Sequence, residues 1–271
     1  MRTVAPASNG ANRQRGIVLP LVLWTIAVLA LLGAGLTASS RTGLRIAAAM
    51  RDAAQVEAAA DGAVHEAILR LADGGGLHWP ADRIPRETQI GGIPVVVTVE
   101  NLAGRLNPNT APDALIAAVL TRFGLDAEPA AALGSALFDW HMPGPLASAG
   151  GTRRRAYMAA GLGYFPPGQP FERDDEARAV LGMTPAIAAV LRPFLSIHND
   201  GPIDPAFAAQ PLRLALEATG INQFAAPEPS ATVEIVADAR LPSGAAFERR
   251  AVIRFRAGVR FQILDWSQGG D

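Results

Sequence analysis

A chain of 271 residues, 49% of them hydrophobic, has room for a membrane segment plus one large or two small folded domains. Its 24 basic residues, all arginine, are balanced by 25 acids, so the basic surplus on which nucleic-acid binders rely is missing. There is no cysteine, which excludes a disulfide framework, a thiolate nucleophile and a zinc–thiolate site.

Residues 1–16 are polar, rich in glycine and alanine and without periodicity, and are expected to be unstructured. From Ile17 to Ser40 no side chain is charged. As a helix this run is about 36 Å long, enough for a hydrocarbon layer of about 30 Å. A secretory signal peptide has a shorter apolar region ending in a small-x-small site, which Leu36-Thr-Ala38 matches poorly. The segment 17–40 is therefore read as a transmembrane anchor. Arginines flank it on both sides, Arg2, Arg13 and Arg15 before and Arg41, Arg45 and Arg51 after, so charge alone does not orient it. Beyond it Val56, Ala60, Val64, Ala67 and Leu71 recur at helical spacing, with Asp52, Glu57, Asp61 and Glu66 largely off that stripe. One helix of roughly 55 residues results, stopped by Asp73-Gly74-Gly75-Gly76, and its one-sided second half requires a covering sheet.

Gly91-Gly92 precedes Ile93-Pro-Val-Val-Val-Thr-Val-Glu100, a β-branched run that reads as a strand. Helices are predicted over Pro112–Phe123, Glu128–Trp140, Asp174–Leu181, Pro185–Leu195 and Asp204–Thr219. Thr110 or Ala111 before Pro112, and Thr184 before Pro185, mark helix starts, while Gly182 and Gly220 mark ends. Residues 144–170, rich in Gly, Pro and Arg, carry no clear pattern. After a boundary at Pro227-Glu-Pro229 come three strands, Thr232–Asp238, Ala246–Arg256 and Val259–Trp266, the last two meeting at Ala257-Gly258 as a tight hairpin. The economical fold is α+β: a long N-terminal helix packed on an antiparallel sheet, with an all-α domain inserted between the first strand and the later ones.

Several motifs in this order resemble one family. Arg15-Gly16-Ile17 resembles the processing site of type IV prepilins and pseudopilins, cut after glycine at the cytoplasmic face. Pro20 would then lie in the first helical turn, where proline is tolerated. The start Arg15-Gly-Ile-Val-Leu-Pro-Leu-Val-Leu-Trp24 resembles that of the K-type minor pseudopilins of type II secretion systems (the GspK family). So do the turn Val99-Glu-Asn-Leu-Ala-Gly-Arg-Leu-Asn-Pro-Asn-Thr-Ala111, the helix end Leu137-Phe-Asp-Trp140, Pro170-Phe171, Leu181-Gly-Met-Thr-Pro185 and the Leu-Asp-Trp266 ending.

The resemblance implies a prepilin leader at 1–16, an anchor at 17–40, a periplasmic spine helix and first strand at 41–106, an inserted SAM-like or helix-hairpin-helix-like domain at 107–225, and strands completing a pilin-like sheet at 226–271. It also implies cleavage between Gly16 and Ile17 by the prepilin peptidase, with N-methylation of Ile17. The implied setting is single-pass in the inner membrane with the C-terminal domain in the periplasm, and the implied partners are other minor pseudopilins and the major pseudopilin. The implied role is to cap the pseudopilus and help initiate it. Major pilins carry a glutamate at the fifth mature position, thought to neutralise a neighbour's N-terminal amine; here that position is Leu21, as suits a tip subunit.

The family's helical domain also binds calcium through acids after its Asp-Trp, and calcium wants six to eight oxygens. In this chain Asp139-Trp140 is followed by His141-Met-Pro-Gly-Pro145 and then Arg153-Arg-Arg155, which leaves Asp139 as the one candidate ligand and no cofactor as the main expectation. Two other classes compete. Leu181–Val190 has the shape of a helix-hairpin-helix element, the basis for a membrane-anchored DNA receptor for uptake, although Asp174-Asp-Glu176 lies just upstream and no nucleic acid is expected on charge grounds. Catalysis is not expected, because His65, His78, His141 and His198 are scattered and beside no recognisable nucleophile.

Overall fold

The predicted spine forms as one helix, α1 (Val18–Ala72), of 55 residues. The computed structural model describes residues 18–73, 75–142, 154–221, 232–256 and 260–269, without the side chains of 35–41 and 260. The leader 1–16, the processing pair Gly16 and Ile17, the Pro227–Pro229 boundary and the Ala257-Gly258 turn lie outside the described residues.

The chain divides into two compact units, residues 1–55 and 56–271. In the first, α1 exposes aliphatic and aromatic side chains, among them Leu19, Leu23, Trp24, Leu29 and Leu31. Among the described residues no helix is long and apolar enough to cross a membrane. The predicted 17–40 span includes Ile17 and the side chains of 35–41, which are not described.

In the second unit the remainder of α1 is one-sided, as its spacing requires. Val56, Ala59, Ala60, Ala63, Val64, Ala67 and Ile68 are buried against Val95, Val97, Val99, Val233, Ile235, Ala237, Ala239, Ala251 and Ile253. Each large aliphatic side chain so buried contributes on the order of 1.5–3 kcal/mol. These partners are alternate residues of a five-stranded sheet, antiparallel throughout and ordered as in sequence: β1 (Arg86–Ile90), β2 (Ile93–Asn101), β3 (Thr232–Arg240), β4 (Ala246–Arg256) and β5 (Arg260–Gln268). Period-two alternation places one set on the helix and the other on the opposite face. Arg249 is a charged member of the helix-facing set, and it pairs with Asp61 and Glu57 of α1 while its guanidinium lies over the Trp266 ring.

Strand β1 was not foreseen. Gly91 and Gly92, at φ 58° and 82°, make the two-residue turn of a β1–β2 hairpin instead of merely preceding a strand.

Between β2 and β3 the chain is helical. It contains α2 (Asp113–Arg122), α3 (Ala127–His141), α4 (residues 154–159), α5 (Pro185–Leu191) and α6 (Gln210–Thr219). These elements enclose a second core around Leu106, Leu115, Ile116, Leu120, Leu137, Leu191 and Leu212. Several boundaries differ from expectation. Asp174–Ala179 is a 3₁₀ helix, its first turn crowded with Asp174, Asp175 and Glu176, and it ends at Val180 ahead of a turn through Gly182. The Pro185–Leu195 prediction divides into α5 and a 3₁₀ turn Arg192–Phe194, because Pro193 offers no N–H to continue the α pattern. Helix α6 begins at Gln210, six residues later than predicted, and Pro211 sits in its first turn where a missing N–H costs nothing. Thr184 caps α5 by accepting from the Ile187 N–H, and Gly220 ends α6 at φ 64°, both as expected. Part of 144–170, where the sequence carries no clear pattern, is α4.

Candidate functional site

The turn Asn101–Ala111 forms the joint between sheet and helices. Its Asn101 side chain accepts from the Ala103 N–H and caps a 3₁₀ turn, Leu102–Gly104. A Cβ on Gly104 would stand 2.3 Å from the carbonyl carbon and oxygen of Phe207, so only glycine fits there. Leu106 makes a parallel bridge to Leu195, its N–H donating to the Phe194 carbonyl and its carbonyl accepting from the Ser196 N–H. The Asn107 side-chain amide donates to the Ile197 and Asn199 carbonyls, and the Asn199 amide donates back to the Arg105 carbonyl at 2.7 Å. Asn109 grips Phe171 in both directions, its amide donating to the carbonyl and its Oδ1 accepting from the N–H at 2.7 Å. Three asparagines thus fasten segments that lie 62 to 94 residues away in sequence.

Arg105 is the charged centre of this joint. Glu100 of β2 and Glu234 of β3 are directly opposite in the register, an arrangement that repels when both are ionised. The guanidinium lies between them: Nε and Nη2 reach Glu100 at 2.9 and 2.7 Å, and Nη2 reaches Glu234 at 2.6 Å. Arg83 extends the row from Glu100, and Arg250 from Glu234. Burial works against the charge on Arg105, but the two carboxylates outweigh it and hold the guanidinium above its ordinary range. Burial likewise pushes Glu100 up, yet hydrogen bonds and attraction from Arg105 and Arg83 bring it net below the usual carboxylate range. Asp174 runs the other way. Desolvation raises it although its Oδ1 accepts from the Ile197 N–H.

The residues singled out from sequence are placed apart. Leu21 is exposed on α1, with Thr25 donating to its carbonyl. Asp139 is half-buried near the end of α3. Among the described residues no three His, Cys, Asp or Glu side chains converge as metal ligands. His65 lies on α1 beside the Trp266 ring, while His141 is buried at the end of α3. Just upstream of the helix-hairpin-helix candidate, Asp174 is half-buried beside α5 and Arg173 is paired with Asp175. The partners of Arg105 went unforeseen, since Glu234 is 129 residues away and the motif itself names only Glu100.

The family model for type II secretion system protein K matches residues 98–200. Over that span the chain is similar to the K-type minor pseudopilins of type II secretion. The matched span opens on β2 just before Glu100 and closes at Asp200, so it takes in Arg105, all three asparagines and Asp174. The joint is therefore the feature that sequence similarity to the protein K family covers. A solved structure has the same fold: a chain in the crystal structure of the GspK–GspI–GspJ complex from the enterotoxigenic Escherichia coli type 2 secretion system. It matches at a TM-score of 0.60 and 17% identity, over 86% of this chain and 99% of that one. Among curated proteins none matches the chain by sequence.

Proposed function

We propose that this minor pseudopilin caps the pseudopilus of a type II secretion system and helps to initiate its assembly. The observation that carries the reading is the protein K match over the joint between sheet and helices, on a chain whose α1 packs its second half against that sheet. The apolar, uncharged first part of α1 supports a single-pass inner-membrane anchor that places the C-terminal unit in the periplasm. Leader removal between Gly16 and Ile17 by the prepilin peptidase, followed by methylation of Ile17, belongs to the same proposal. So does the treatment of 107–225 as an inserted SAM-like domain.

Its partners in this reading are the other minor pseudopilins and the major pseudopilin. The GspK-containing complex that shares its fold is an assembly of that kind. Leu21 fits the terminal place, because a subunit with nothing ahead of it has no neighbouring amine to neutralise. The role is mechanical and assigns no catalytic step or cofactor. No observation favours the DNA-receptor reading.

Two measurements test the proposal. N-terminal sequencing of membrane-extracted protein is expected to start at methylated Ile17 when the peptidase is present and at the unprocessed terminus when it is absent. Gold labelling of assembled fibres is expected to mark one end; label along the shaft would overturn the tip assignment.

A further inference from the structure

K-type pseudopilins carry an expectation of bound calcium after the Asp-Trp pair at the end of this helix, and the donor set here disagrees with it. Between Asp139 and Glu172 the sequence has no acid at all and three arginines, Arg153, Arg154 and Arg155. Calcium needs six to eight oxygens, usually with several carboxylates among them, and a cluster of cations repels it. Arg154 instead lies over the face of Phe165, 5.0 Å from the ring centre.

A set of aromatic rings occupies the place. Trp140 stacks on Phe171 with centroids 5.9 Å apart and planes 11° from parallel. Tyr157 of α4 and Tyr164 close on it at 6.3 and 6.5 Å, and on each other at 5.9 Å. Three of the four residues are also held from outside the group. The Phe171 backbone is held in both directions by Asn109, the Tyr157 hydroxyl accepts from the Leu181 N–H at 2.9 Å, and the Trp140 carbonyl accepts from the Gly168 N–H. The rings thus tie the end of α3 to α4, to the return segment at 164–171, and to the turn before α5.

We propose that this aromatic clasp holds the end of α3, α4 and residues 164–171 together without a divalent cation, so that their packing is independent of calcium. The Trp140 indole supports the point. Its Nε1 is buried without a hydrogen-bond partner, so the ring is retained for its faces and not for its donor. The inference concerns the packing of this chain and does not depend on its place in a fibre.

The test uses the full chain in detergent. Thermal melts in EDTA and in several millimolar calcium, above the affinity range of extracellular calcium modules, are expected to superimpose, and calorimetric titration with calcium to give no saturable heat. A calcium-dependent rise in Tm, or a saturable heat, would overturn the proposal. Trp140→Phe keeps the stack and removes the orphan donor, and is expected to melt at or above the parent. Trp140→Ala is expected to melt lower in both buffers. If Trp140→Phe were as damaging as Trp140→Ala, the stack would not be the clasp.

Discussion

Arg105 shows how one side chain holds two parts of a molecule together. Removing it would leave Glu100 and Glu234 facing each other and largely buried, each with one remaining guanidinium, Arg83 or Arg250, and breaking a buried pair costs up to about 3–5 kcal/mol. Arg105→Ala is thus expected to lower the unfolding free energy by about that amount in chemical denaturation. Arg105→Lys should recover only part of it, because an ammonium lacks the fork that spans both carboxylates.

The same site sets a pH dependence. Glu100 titrates below its ordinary value near 4.5 in the folded chain, so its contribution is complete above that value and is lost as pH falls through the depressed one. Asp174, raised by burial, has the opposite sign and offsets part of the acid loss as it takes up a proton. Stability followed by urea titration should fall on acidification below about pH 4.5, and Glu100→Gln should make that acid limb shallower. An unchanged limb in the variant would remove Glu100 from the account.

At the level of elements, the β1–β2 hairpin depends on its turn. Gly91 and Gly92 both sit at positive φ, the two-residue geometry that matches the twist of the flanking strands. Gly92→Ala is expected to cost about 1–2 kcal/mol, and Gly91→Asn much less, by differential scanning of the two variants. The signal for β1 was present in the sequence: a Gly-Gly pair between Arg86–Ile90 and a β-branched run. It was obscured because Arg86-Glu-Thr-Gln-Ile has too little apolar character to read as a strand alone, and it forms one only because β2 pairs with it. The α1 stripe was legible for the opposite reason. Helical periodicity is a local property, and Val56, Ala60, Val64 and Ala67 express it within four turns.

For the whole molecule, the register of the sheet explains how a long helical segment can sit within it. Asn101 and Val233 are partners, so the chain leaves the sheet and returns at adjacent points. Residues 103–231 are therefore expected to be replaceable by a short hairpin loop, but only when Glu100 and Glu234 are also made neutral. With the carboxylates retained, their opposition lacks Arg105 and the truncated chain should melt lower than its Glu100→Thr/Glu234→Thr counterpart. Circular dichroism of the two truncations measures the difference. Equal melting temperatures would show that Arg105 is not what makes the opposed acids tolerable.

The sequence alone determined the long helix, four of the five strands, the helical character of the middle and the family resemblance, because each rests on short-range pattern: spacing of apolar residues, prolines and glycines at element ends, and ordered motifs. It also placed the joint motif without giving it a task. Only the tertiary structure decided that Arg105 stands between Glu100 and Glu234, that Asn109 holds Phe171, and that rings, not carboxylates, gather at the end of α3. Those partners are brought together by strand register and helix packing across tens to more than a hundred residues, a distance over which side-chain periodicity carries no information.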